Sequence, residues 1–266
     1  MAPHTSDEAP TGTLQRAALI LGAFTGDRRL NLSQIVAATG LPRTSVHRAL
    51  EQLVALQWVH RHGMDYQLGL RMIELGAVAA QQNSLRRAAL PSLHWLHRRT
   101  GCIVHLGVLD GPEVVYLEKV GGEFTPTVRS HVGGRLPARS STIGTALLAV
   151  AGFTPEELPD VDRVRESRIA YGREKCLKGF SCVAVPIGPV DRTESAAALS
   201  VFGPAAKIDD KQLLLSAQTA AAQIWRRIAP VRATGGSGRQ QRAQVPQAPQ
   251  SRVQPVSGLS ARRSNR

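Results

Sequence analysis

Aromatic residues are scarce in this chain of 266 residues, where Phe, Trp and Tyr together make up 4%. Leu, Val and Ala must therefore do most of the packing, and a hydrophobic content of 42% is enough for real cores. Cysteine is scarcer still. Cys102, Cys176 and Cys182 are too few for a disulfide framework, and no Cys-x-x-Cys pair marks a zinc site. No apolar run approaches the ~18 residues that a membrane span needs. The opening Met1-Ala2-Pro3-His4-Thr5-Ser6-Asp7-Glu8 has no basic stretch followed by an apolar one, so it does not read as a secretory signal. These absences point to a soluble, cytoplasmic chain with no membrane partner, and at ~150 residues per domain the length suggests about two domains.

Acidic residues are also missing from one region. Lys and Arg number 33 against 20 Asp and Glu, a formal charge of +13. Residues 1–84 are close to neutral, with 7 basic and 6 acidic side chains, and residues 85–230 carry 19 and 14. Residues 231–266 hold seven arginines and no acid, so over half of the excess lies there. That stretch, rich in Gln, Pro, Ser and Gly, lacks apolar periodicity and reads as a disordered basic tail, as residues 1–12 read as a disordered N-terminal one. A tail of this kind attracts phosphates without reading bases.

What is present is a local pattern of helices. Leu14, Ala17, Ala18 and Leu21 fall at i, i+3, i+4, i+7, which predicts a helix over Leu14–Phe24 with Thr13 as its cap. A second helix is expected over Leu32–Thr39, closed by Gly40 in the left-handed conformation. Pro42 suits the first turn of a third, Pro42–Gln57. On that helix Val46, Leu50, Leu53 and Val54 form a core stripe. Thr44, Arg48, Glu51 and Gln52, flanked by Ser45 and His47, occupy the other side. Two short helices joined by a turn containing Gly make a helix-turn-helix, whose second helix can enter a major groove. Trp58-Val59-His60 and Tyr66-Gln67-Leu68 then predict a β-hairpin wing with Arg61 at its tip.

Two further helices are expected over Leu70–Gln81 and Leu85–Thr100, broken near Gln82-Asn83-Ser84. In the second, Leu90, Leu93 and Leu96 point inward and Arg86, Arg87, Arg98 and Arg99 outward. Ile103–Leu109 and Val114–Val120 predict a hairpin through Asp110-Gly111. Strands are expected at Thr127–His131, Cys182–Ile187 and Ala196–Phe202, and helices at Ile143–Ala151, Pro155–Leu158 and Asp209–Ile228. The combination predicts an α+β domain around an antiparallel sheet.

In order along the chain, Gly40-Leu41-Pro42-Arg43-Thr44-Ser45-Val46-His47-Arg48-Ala49-Leu50, Tyr66-Gln67-Leu68-Gly69, Leu109-Asp110-Gly111, Val114-Val115-Tyr116-Leu117, Gly133-Gly134-Arg135-Leu136-Pro137, Ala146-Leu147-Leu148-Ala149 and Cys182-Val183-Ala184-Val185-Pro186 resemble the IclR family of bacterial transcriptional regulators. The resemblance spans about Thr13 to Ile228. It implies a winged helix-turn-helix over 13–69, a linker helix over 70–84 and a GAF-like effector-binding domain over 85–230. It further implies a homodimer or homotetramer on double-stranded operator DNA that represses or activates transcription, repression being the expected sign here, with a small-molecule effector adjusting operator affinity. No cofactor or metal is implied.

Residue roles follow from both readings. Thr44, Ser45 and Arg48 lie on the turns where side chains reach base edges, and Arg48 can grip guanine bidentately, worth ~1–3 kcal/mol of discrimination. Arg43 and Arg61 suit phosphates, which set register without reading sequence. His47 belongs to the same face. The family's pocket maps here onto Thr125, Leu136, Thr142, Ile143, Phe180 and Cys182. Independently, Ser141 or Thr142 can cap a helix start whose N–H groups attract an anion. Three departures from the family pattern stand out. Gly172 replaces the acid of members that bind keto acids, Thr145 replaces a common Lys or Arg, and Arg173-Glu174-Lys175-Cys176 is less acidic than usual. Loss of the acid leaves room for a bulkier or more anionic ligand, or means that none binds. Two other functions stay open: an enzyme using Ser140, Ser141 or Cys182, against which no base–nucleophile set or Gly-x-Ser-x-Gly elbow can be drawn, and a non-specific binder driven by the tail. Cys176 and Cys182 with His105 and His131 could be read as a metal or redox site, but they read better as small core residues.

Overall fold

The computed structural model describes residues 12–26, 28–121, 128, 130–154, 160–174, 177–189 and 196–229. Residues 1–11 of the expected N-terminal tail, the expected basic tail, the expected helix over Pro155–Leu158, Thr125 and Cys176 lie outside the described residues.

The N-terminal part comprises α1 (Thr13–Gly22), β1 (Leu30–Asn31), α2 (Leu32–Thr39), α3 (Arg43–Ala55), β2 (Val59–His62) and β3 (Asp65–Leu68). Gly12, not Thr13, is the cap residue of α1, and the Gln15 side chain reaches back to its N–H. Asn31 caps α2 by accepting from Gln34 N at 3.0 Å, while Gln34 Oε1 accepts from Asn31 N at 2.9 Å. This reciprocal pair satisfies two donors that a helix start otherwise leaves open. Gly40, at φ +67, ends α2 as expected. Pro42 stands one residue outside α3 as its cap position, at φ −56 and ψ 137, because its ring suits extended as well as helical backbone. Ile20, Ile35, Val46, Leu50, Leu53, Val59 and Tyr66 close the core of this part, with Val46 and Leu50 fully buried. Burying each such side chain contributes about 1.5–3 kcal/mol.

The wing pairs β2 with β3 in antiparallel register, His62 opposite Asp65, and β1 adds a third strand beyond β3. Arg61 therefore lies within a strand rather than at the tip, which is Gly63-Met64. Next come α4 (Leu70–Gln82) and α5 (Ser84–Thr100). Asn83 separates them with φ −69 and ψ 106, ending one helix and capping the next through Oδ1, which accepts from Arg86 N at 2.8 Å.

The C-terminal part is a six-stranded sheet in the order β6-β5-β4-β9-β8-β7. Its strands are β4 (Ile103–Asp110), β5 (Glu113–Val120), β6 (Arg135–Pro137), β7 (Ala170–Arg173), β8 (Phe180–Ile187) and β9 (Ala197–Pro204). Every neighbouring pair is antiparallel. Gly111, at φ +58, makes the expected β4–β5 turn. Of the expected strand Thr127–His131, the described residues 128, 130 and 131 are not in a strand. Pairing at that sheet edge is made instead by Arg135–Pro137.

Strand alternation divides the sheet into two faces. Val104, Leu106, Val183, Val185, Leu199 and Val201 pack on α5 and α9 (Lys211–Ile228). The alternate residues face α6 (Thr142–Val150), which carries Ile143, Ala146 and Leu147 into a second core with α7 (Val161–Ser167). A short α8 (Ala205–Ile208) follows β9. Arg86, expected outward, turns inward instead. Its Nη2 lies 2.5 Å from Glu118 Oε2, where the carboxylate offsets the cost of part-burying the guanidinium.

Candidate nucleic-acid interface and effector face

The side of α3 opposite its core stripe is open to solvent. Arg43, Thr44, His47, Arg48, Glu51 and Gln52 are exposed, and Ser45 is half-buried. Two clefts flank the helix. One, of about 220 Å³, runs between α1 and α3 and is lined by Arg16, Ser45, Arg48 and Gln52. The other, of about 510 Å³, lies between α3, the start of α2 and the wing, and is lined by Ser33, Arg43, His47, Arg61 and Met64. All six residues expected to touch DNA lie on α3 or on the wing strand beside it.

Their partners decide what each can do. Arg43 Nη1 donates to Ser33 Oγ at 3.1 Å, which ties the helix start to α2. Arg61 Nε donates to Gly63 O at 2.9 Å, with its guanidinium carbon 5.8 Å from the Tyr66 ring centre, so it braces the wing turn. His47 Nδ1 is 3.6 Å from Glu51. Arg48 is exposed, and its side chain has no hydrogen bond or ion pair among the described residues. Sequence reasoning missed Arg16, which lines the first cleft, and Arg29, whose Nε donates to Gln67 at 3.0 Å across the wing. On the wing, His60 and His62 pack edge to face with ring centres 4.3 Å apart. Desolvation holds His62 below the usual imidazole range, helped by Arg29 and His60.

On the effector face, α6 begins at the turn Ala138–Ser140. Ser141, the cap, accepts from Gly144 N at 3.0 Å through Oγ and donates to Ala138 O at 3.4 Å. Its hydroxyl is committed to the helix. The N–H groups of Thr142 and Ile143 precede the first bond inside the helix and are not used by it. Gly107 lets Ile143 lie on the sheet, since a β-carbon there would stand 2.9 Å from Ile143 Cδ1. Leu136 borders the same apolar cluster from β6. Gly172 and Cys182 are register partners on β7 and β8, and a β-carbon at Gly172 would overlap Thr142 Oγ1. The room expected from losing an acid at this position is therefore filled by Thr142. Phe180 stacks on Phe202, centres 5.4 Å apart and planes 12° apart.

Sequence reasoning named one polar residue of this region, His105, only in a metal or redox reading that it set aside, and not for the effector site. His105, buried on β4, sits opposite Ser200 of β9 and Lys119 of β5. Its Nε2 is 2.7 Å from Ser130 Oγ, and its ring centre is 5.0 Å from that of Tyr116. Burial takes its pKa down to about 3, with the Lys119 ammonium acting in the same direction, so the ring is neutral near pH 7. Lys119 Nζ donates to Val128 O at 2.9 Å and Ser130 O at 2.7 Å. The hydroxyl of Ser200, also buried, makes no hydrogen bond among the described residues. Among the described residues no three His, Cys, Asp or Glu side chains gather as metal ligands, and no helix is long and apolar enough to cross a membrane.

An exposed recognition helix beside a wing, followed by an antiparallel sheet with a polar face, defines a DNA-binding regulator with an effector domain. The comparisons agree. Residues 13–63 match the IclR helix-turn-helix domain, and residues 77–157 match the bacterial transcriptional regulator IclR C-terminal domain. The HTH-type transcriptional regulator XynR of Escherichia coli (strain K12) is 30% identical over 226 residues, 76% of this chain and 89% of that protein. KdgR of the same organism is 29% identical over 219 residues, 73% of this chain and 82% of that protein. An IclR homologue from Microbacterium hydrocarbonoxydans, crystallised with 4-hydroxybenzoate, superposes with a TM-score of 0.68 at 25% identity, covering 81% of this chain and 98% of that one. The chain belongs to the IclR family and is a DNA-binding transcriptional regulator.

Proposed function

We propose that the chain is a cytoplasmic, homodimeric repressor that reads a palindromic operator through α3 and is tuned by a small carboxylate on the α6 face of the sheet. The observation that carries this reading is α3 itself. Its apolar side is sealed in the core, while Thr44, His47 and Arg48 stand exposed between two clefts that each hold an arginine. Arg48 reads a base, and Arg43 and Arg61 set position on phosphates.

The dimer reading rests on α4. None of its residues is buried, and Leu70, Ile73 and Val78 are exposed by 68%, 70% and 50%. So much apolar surface on one helix marks a contact with another chain, and a second copy fits a two-fold operator. Occupancy of a promoter by such a dimer excludes polymerase, which makes repression the simplest output. The carboxylate reading rests on the open N–H groups of Thr142 and Ile143 at the start of α6. The 4-hydroxybenzoate of the Microbacterium homologue is a ligand of this class. The site is Leu136, Ser141, Thr142, Ile143, Phe180 and Cys182 with His105 and Ser200, Ser141 acting through its cap. Thr125 belongs to the same assignment, outside the described residues. No catalytic role is assigned. Ser140 Oγ donates to Pro137 O and Ser141 caps a helix, while the buried imidazole of His105 faces Ser130 rather than either of them.

A footprint on the DNA upstream of the chain's own gene tests the reading. Two symmetric half-sites are expected, and no preference over random DNA would overturn it. Arg48→Ala should relax base choice by roughly 1–3 kcal/mol at one position of each half-site while background affinity holds. Equal losses on all sequences would remove its assigned role. Ile73→Glu should convert dimer to monomer in sedimentation.

A further inference from the structure

Two antiparallel helices, α5 and α9, cover the outer side of the six-stranded sheet, and neither contains a single Asp or Glu. They run to 17 and 18 residues and carry Arg86, Arg87, Arg98, Arg99, Lys211, Arg226 and Arg227. Some of these charges hold the layer together. Arg86 is paired with Glu118, Arg99 donates to Ser216 at 3.1 Å, and Arg227 donates to Ala88 O at 3.1 Å. The rest do not. Arg87, Arg98, Lys211 and Arg226 are exposed, and their side chains have no hydrogen bond or ion pair among the described residues.

Their placement is ordered. Because Arg227 reaches Ala88 and Arg99 reaches Ser216, the end of α9 lies beside the start of α5, and the start of α9 beside the end of α5. Arg87 and Arg226 thus belong to one end of the layer, and Arg98 and Lys211 to the other. Arg87 and Arg98 are eleven residues apart on one helix, about 16 Å at the α-helical rise. That span exceeds the ~12 Å width of a major groove and lets the two ends meet opposite strands. Asp209 and Asp210 adjoin one end, but Asp209 faces Arg173 and Asp210 caps α9. The sequence that follows α9 continues the pattern, with seven arginines and no acid over residues 231–266.

We infer that the α5–α9 layer is a second polyanion surface, which holds duplex DNA by its phosphates without reading its sequence. A second copy of the chain is a poor occupant, because the face would meet its own sign of charge. Arginine is the residue suited to phosphate, through its planar pair of donors. Without such an occupant, four unpaired cations on one face add only self-repulsion to the fold. The surface is separate from α3 and would bind flanking DNA or a second duplex segment while the operator is held.

The test uses the full chain and a 60-bp duplex of random sequence, so that it stands apart from the existence of an operator. The Arg87→Ala/Arg98→Ala/Arg226→Ala variant should show a log Kd against log[salt] slope smaller by about 2.7, at ~0.9 per lost phosphate contact. The matching triple Lys variant should keep the slope, which separates charge from packing. Circular dichroism melting confirms that each variant folds. On a duplex carrying only the footprinted operator, the Ala variant should keep its preference over random DNA. An unchanged slope on the random duplex overturns the proposal, as does binding of the Ala variant that is weakened for an acidic peptide such as poly-Glu and not for DNA. Loss of operator preference with the random-duplex slope intact would instead strike the role of α3.

Discussion

The two faces of the six-stranded sheet are built from alternate residues of the same strands, yet they are chemically unlike. Toward α5 and α9 the strands present Val104, Leu106, Val183, Val185, Leu199 and Val201, and the helices return Leu93, Leu96, Leu213 and Ile224. Toward α6 the neighbouring positions are His105, Gly107, Cys182, Ala184, Ala198 and Ser200, which are smaller or polar. One face spends its volume on dispersion and water exclusion. The other mixes small and polar side chains with the apolar cluster that Val114 and Tyr116 form with α6. A period of two therefore gives one strand a wholly apolar side and a mixed one. The DNA-binding head does the same with a period of 3.6, burying Val46 and Leu50 while exposing Thr44 and Arg48.

The contrast can be broken in graded ways. The largest effect belongs to the packed face: Leu199→Ala should cost about 2–5 kcal/mol in urea unfolding, because the fully buried site cannot collapse around the cavity. A cost below about 1 kcal/mol would mean that this face is looser than described. Next comes the Gly172–Thr142 contact. Gly172→Ala alone should destabilise, because its new methyl overlaps Thr142 Oγ1, and Thr142→Ala should relieve much of that loss. A double-mutant cycle should give a coupling of about 0.5–3 kcal/mol, and additive effects would show that the two do not touch.

His105 gives a pH signature. Its folded pKa, about 3, lies below the ordinary 6.5, so between these values the unfolded chain binds the extra proton. The stability from a neutral His105 is complete above about pH 6.5 and is lost as pH falls toward 3, at no more than about 1.4 kcal/mol per pH unit. The difference in unfolding free energy between wild type and His105→Gln should show this slope, and parallel curves would contradict it. Smallest of all, Ser200→Ala should change stability by about 0.5 kcal/mol or less, since its hydroxyl makes no hydrogen bond to lose, yet it should weaken any ligand that the α6 face holds. Thermal shift with and without 4-hydroxybenzoate and simpler carboxylates separates the two effects.

What was legible in the sequence was local chemistry. The limits of α2 follow from apolar spacing and Gly40, and the β4–β5 hairpin follows from Asp110-Gly111. The hydrophilic side of α3 could be drawn from 100° steps alone. Features that depend on register were not legible. His105 and Ser200 are distant in sequence and become neighbours only through the β4–β9 pairing. Arg86 looked like a surface residue because Glu118, its partner, lies on a strand not yet aligned with the helix. The short strands β1 and β7 carry too few residues for a period to show, and Thr142 could be placed in the first turn of its helix but not against Gly172.

Asn83 has a mechanical consequence. Between the last residue of α4 and the first of α5 there is one amino acid, and its side chain is already occupied with the start of the second rod. A rearrangement that travels along the main chain between the six-stranded sheet and the helix-turn-helix must therefore pass as rotation about the two torsions of a single joint. With so short an axle, a few degrees at Asn83 would swing the far end of α4 sideways.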